Sequence, residues 1–105
     1  MEEPVLLYLT CANKDEAKTI ARTLIDERLI ACANILGKMT SVYRWEGTVV
    51  EDEEIAVLLK TRRDMAARAT ERVKELHSYD LPCVVGLPTQ GGNPDFIGWL
   101  NCEVS

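Results

Sequence analysis

The stretch Thr40-Ser41-Val42-Tyr43-Arg44-Trp45-Glu46-Gly47-Thr48-Val49-Val50 limits what this chain can fold into more than any other. β-Branched and aromatic residues dominate it, and Glu46-Gly47 stands where a two-residue turn reverses the chain. The turn separates two long extended segments, Cys32 to Trp45 and Thr48 to Thr61. A 105-residue chain has too little core to cover that much strand by itself. The large side chains near the tip (Tyr43, Arg44, Trp45) therefore need an outside cover, either a sister subunit or a ligand.

Elsewhere the hydrophobic period alternates between strand and helix. Val5 to Thr10 is a short apolar run that fits a strand buried on both faces. Asn13 opens a helix with Glu16 three positions on, as in a capping box, and its inner face takes Ala17, Ile20, Ala21, Leu24 and the stem of Arg28. Gly37 marks a bulge in the second strand, and Ile55 to Leu59 reads as a central strand. Asp64 is the expected cap of a second helix with inner face Ala66, Ala69, Val73 and Leu76, ending near His77. Leu81 to Leu87 is the last strand, and Asn93-Pro94 opens a short C-terminal helix that packs Phe96, Trp99 and Leu100 on the sheet. The order β-α-β-β-α-β plus a small helix predicts an α+β, ferredoxin-like sandwich. Its antiparallel sheet has both main helices on one face, the first strand between the third and fourth, and the second strand at an edge. Such a long edge strand invites pairing with another chain, which a closed oligomer satisfies.

Composition excludes several function classes. The formal net charge of −5 opposes sequence-independent nucleic-acid binding and anionic membrane surfaces. No apolar run approaches the roughly 18 residues of a spanning helix. The acidic Met1-Glu2-Glu3-Pro4 lacks a basic leader region, so a cytoplasmic address is expected. Four widely spaced cysteines, with no Cys-x-x-Cys pair, are then free thiols. The single histidine has no Gly-x-Ser-x-Gly partner and there is no Gly-x-x-x-x-Gly-Lys loop, so an enzyme is not expected. Glu51-Asp52-Glu53-Glu54 lacks the spacing of a cation loop and reads as a solvated, edge-protecting charge run.

Several separated motifs resemble those of the CutA family of divalent-cation tolerance proteins. They are Leu29-Ile30-Ala31-Cys32-Ala33-Asn34-Ile35, Thr40 to Gly47, Lys60-Thr61, His77-Ser78-Tyr79-Asp80-Leu81-Pro82, and Gly92-Asn93-Pro94-Asp95-Phe96-Ile97-Gly98-Trp99-Leu100. The resemblance implies a ferredoxin-like subunit assembled as a PII-like homotrimer through long hairpins, with a role in the response to copper and other divalent metal ions. It also implies copper ligation by Cys11 and His77. Two departures stand out: the family usually reads His-Pro-Tyr where this chain has His77-Ser78-Tyr79, and often carries an acidic residue where this chain has Cys83.

The topology supports a convergence of those side chains. Cys11 at the end of the first strand, Cys83 at the start of the fourth, and His77 at the end of the helix between belong at one end of the sheet. Cys32 belongs at the other. Thiolate and imidazole together suit copper or zinc. Buried packing of each cysteine and a helix-dipole role for His77 are the competing readings. Tyr43, Trp45, Lys60 and Tyr79 each join an apolar body to a polar tip, which suits either a subunit interface or a ligand cleft between subunits. The second function class is thus a PII-like regulatory module binding a small metabolite or anion.

Overall fold

The computed structural model describes residues 2–105. The elements are β1 (Pro4–Cys11), α1 (Lys14–Asp26), β2 (Cys32–Trp45), β3 (Thr48–Arg62), α2 (Ala66–Leu76), β4 (Val84–Pro88) and α3 (Pro94–Glu103). They form the expected ferredoxin-like arrangement, one sheet of order β2-β3-β1-β4 with every neighbouring pair antiparallel.

Period-2 alternation decides which face is core. The cross-strand partners Leu7 and Leu59, Leu9 and Val57, and Cys11 and Ile55 share the face that packs on the helices, and all six are buried. Ile20 and Leu24 of α1 and Ala69 and Val73 of α2 meet them there. The residues between, Leu6 and Tyr8 on β1, Leu58 on β3, and Val85 and Leu87 on β4, line the opposite face by the same pairing. Neither α1 nor α2 lies on it, α3 reaches it only at the Lys60 end, and Val85 and Leu87 are exposed.

The hairpin forms as its turn chemistry dictates. Glu46 (φ 48°) and Gly47 (φ 83°) both take the left-handed conformation that a tight two-residue turn of this hand requires. The register slips between Ile35 and Gly37, so the bulge falls where Gly37 (φ 100°) permits it. The two strands project well past the core, giving extents of 45 × 26 × 22 Å. Val42 and Val49 near the tip are 62% and 59% exposed.

Four local expectations change. Asp64 does not cap α2: residues Arg63–Met65 form a 3-10 turn first, and Asp64 pairs instead with Arg62 at 3.0 Å. Arg28 lies past the end of α1 in the left-handed region and donates to the Glu103 carbonyl at 3.2 Å, off the helix face. β4 begins at Val84, not Leu81, because Pro82 has no N–H for the ladder; Leu81 is 71% exposed. On α3 only Leu100 is buried, while the Phe96 and Trp99 rings meet at a tilt with centroids 5.4 Å apart, both exposed.

The cap of α1 is as expected, with Asn13 Oδ1 accepting the Glu16 N–H at 2.8 Å. Asn13→Ala should lower stability by about 1 kcal/mol, the usual worth of such a cap, read as a shifted urea midpoint with unchanged slope.

Candidate metal centre

β1 ends at Cys11, and alternation turns its thiol to the helix face, where it is fully buried. Two residues on, Asn13 starts α1, which brings Glu16 back over the end of the strand. Glu16 Oε1 accepts the Ala12 N–H at 3.1 Å, one residue before the position a capping box normally serves, and Oε2 accepts the Ser78 N–H at 3.0 Å. His77 ends α2, its own N–H still bonded to the Val73 carbonyl at 2.9 Å, and its ring drops into the space between β1 and α1. Cys11, Glu16 and His77 thereby place one donor atom each within 4.8 Å of one another.

The hydrogen bonds of His77 fix its tautomer. Its Nε2 lies 2.7 Å from the Thr10 carbonyl oxygen, which can only accept, so Nε2 carries the hydrogen. Its Nδ1 accepts the Tyr79 N–H at 3.1 Å. The ring is therefore neutral and bonded at both nitrogens, with Glu16 Oε1 3.8 Å from Nε2. The Tyr79 ring lies tilted against it, centroids 4.6 Å apart, and its hydroxyl donates to Glu54 Oε2 at 3.0 Å.

The electrostatics follow from burial and from these bonds. Burial pushes the Cys11 thiol up to about 12, with the Glu16 and Glu54 charges acting the same way, so it is protonated at neutral pH. Burial also pushes the Glu16 carboxyl up, but the bonds from Ser78 and Ala12 outweigh that and hold it below the usual carboxylate value. Tyr79 is raised by burial and then by its bond to Glu54, and stays a donor.

Of the residues expected at this end, Cys11 and His77 meet and Cys83 does not join them. Cys83 precedes Val84, the partner of Leu9, so it is at the right end of the sheet but outside the three-residue cluster. Its thiol is raised by burial and by the Glu54 charge. Cys32, paired with Lys60, is at the far end as expected. Glu16 is the member that sequence reasoning missed, because its role as a helix cap accounted for it fully. Glu54 was also misread: it is only 8% exposed, since the register carries it to the open sheet face, where Tyr79 covers it. Glu51, Asp52 and Glu53 are exposed.

Tyr43, Trp45, Lys60 and Tyr79 do not all converge within one subunit, although the Tyr43 hydroxyl, raised first by its bond to Asp52, and the Tyr79 hydroxyl, raised first by burial, both also feel the nearby Glu54 charge. Tyr43 and Trp45 are at the hairpin, Tyr43 bonded to Asp52 across the strands. Lys60 lies over the Phe96 ring at 5.5 Å, six β3 positions from Glu54 and hence about 20 Å from the Tyr79 hydroxyl's partner.

Residues 5–103 match the model of the CutA1 divalent ion tolerance protein family. The chain belongs to the CutA1 family. It is 47% identical over 100 residues to the divalent-cation tolerance protein CutA of Thermus thermophilus, covering 95% of each chain. It is 37% identical over 94 residues to mouse protein CutA, covering 90% of this chain but 53% of the mouse protein, so it spans about half the length of that relative. The structure of the periplasmic divalent cation tolerance protein CutA from Archaeoglobus fulgidus matches with a TM-score of 0.94 at 33% identity, covering 97% of this chain and 99% of the other. No helix among the described residues is long and apolar enough to cross a membrane.

The burial pattern predicts thiol reactivity. A neutral-pH thiol reagent should label exposed Cys102 in the folded protein and reach Cys11 only on unfolding. Because the folded state holds the Cys11 proton above the ordinary 9.0, the unfolded chain loses it first, and stability should fall as pH rises from about 9 toward about 12. Cys11→Ala should flatten that alkaline decline in urea melts at a series of pH values.

Proposed function

We propose that this chain serves divalent-cation tolerance as a non-enzymatic, cytoplasmic homotrimer that binds copper or a similar cation through Cys11, Glu16 and His77. The observation that carries the metal reading is the convergence of a thiol, a carboxylate and an imidazole within 4.8 Å. A thiolate and an imidazole beside a single hard carboxylate suit copper or zinc over magnesium or calcium. Binding displaces the thiol proton and one hydrogen bond of His77, so it is weak at neutral pH and strengthens as pH rises. All four cysteines are free thiols, in keeping with a reducing compartment, although the Archaeoglobus relative carries a periplasmic description.

The uncovered sheet face and the projecting hairpin support the trimer. Val85 and Leu87 beside Leu6, Tyr8 and Leu58 make an apolar surface that one subunit leaves in water, and the hairpin is long enough to reach a neighbour. The long β2 edge gives such a neighbour a strand to pair with.

Titration with copper and with zinc should show binding in the parent protein and at least tenfold weaker binding in Cys11→Ala and in His77→Ala. Unchanged affinity in both removes the site. Light scattering should give three times the 11.8 kDa chain mass, and Val85→Glu with Leu87→Glu should reduce it toward that of one chain. A parent protein of single-chain mass ends the trimer reading.

A further inference from the structure

His77 has one ring proton and two ring contacts, which restricts how it can accept a cation. A metal takes neutral imidazole through a bare nitrogen while the other nitrogen carries the hydrogen. Ligation through Nδ1 displaces the Tyr79 N–H directly. Ligation through Nε2, the nitrogen facing Glu16, moves the hydrogen to Nδ1, where it meets the Tyr79 N–H donor against donor. By either route the Tyr79 amide leaves the ring. The amide beside it is held by the same centre, since the Ser78 N–H ends on Glu16 Oε2. The Tyr79 amide is thus anchored to the ring a cation would claim, and the Ser78 amide to the second oxygen of the carboxylate whose first faces that ring; a proline at position 78 would have no such anchor.

These amides open the irregular stretch between α2 and β4, which has no ladder bonds to break when it shifts. Tyr79 is also its link to the other side of the sheet. Its ring lies on His77, while its hydroxyl holds Glu54, whose even β3 position shares the open face with Leu58. Glu54 in turn pairs with Met39 of β2 at the base of the hairpin.

We propose that a cation at His77 releases the Ser78–Tyr79 turn and with it the Tyr79–Glu54 hydrogen bond, carrying occupancy of the centre round the end of the sheet to its open face. This rests on the metal reading above. Zinc is the appropriate probe, because it binds thiol and imidazole without redox chemistry. In residue-resolved hydrogen exchange, zinc should speed exchange of the Ser78 and Tyr79 amides at least tenfold. Tyr79→Phe, which has no bond to Glu54 left to break, should bind zinc about fivefold more tightly than the parent. A merely structural role for the hydroxyl would leave affinity unchanged or weaken it, and either result overturns the proposal. If His77→Ala loses zinc binding but zinc leaves the Tyr79 amide as protected as before, the coupling falls and the metal reading stands. Equal zinc affinity in His77→Ala and the parent overturns both.

Discussion

The antiparallel pairing of β1 with β3, unbroken from Pro4 with Arg62 to Cys11 with Ile55, is the constraint on which the rest depends. It puts β1 inside the sheet and sends Leu7, Leu9 and Cys11 to the helices with their β3 partners. The same alternation sends Leu6, Tyr8, Leu58 and Glu54 the other way. A one-residue slip would exchange the two sets, exposing the core and burying Lys60. The pairing also ends β1 at Cys11, where α1 and the end of α2 can deliver Glu16 and His77. One register therefore determines the core, the uncovered face and the position of the donor cluster between them.

The cluster is closed at rest. The thiol is protonated, the carboxylate already accepts two backbone N–H groups, the imidazole is bonded to backbone at both nitrogens, and no buried side-chain nitrogen or oxygen among the described residues lacks a partner. A cation entering this cluster would have to displace a proton and at least one hydrogen bond before gaining its own contacts. Were a cation to bind there, its apparent affinity would be the intrinsic affinity reduced by the fraction of molecules in which those bonds are already broken. Hydrogen bonds to ionised groups are the stronger ones, so the Glu16 anchors weigh heavily in that fraction.

Much of this was legible from residue types. Hairpin limits, the Gly37 bulge, the strand order and the inner faces of α1 and α2 follow from turn chemistry and periodicity, which act over a few residues and leave a direct trace. The meeting of Cys11 and His77 needed only topology and the family resemblance. What escaped depends on long-range register. Glu54 sits in a run of four acids, and nothing local separates it from its three exposed neighbours; only its place beside Met39 on the open face and cover by Tyr79 bury it. Phe96 and Trp99 have the composition of core residues, yet α3 turns them outward beside Lys60. The strand start at Val84 was marked by Pro82, but the missing donor shortened β4 where the sequence reading allowed it to begin.

Glu16 shows why a residue with one complete explanation can hide a second. At the third position of α1 it supports the helix start, where a carboxylate is favoured by the free N–H groups and the dipole. That role needs one oxygen on a nearby amide, which Ala12 provides. The second oxygen is committed 62 positions away, to Ser78. The helix start, the end of α2 and the imidazole thus share one carboxylate. A cation on the oxygen that faces His77 would compete first with the Ala12 amide, and would loosen the junction with Ser78 only by drawing charge from the shared carboxylate.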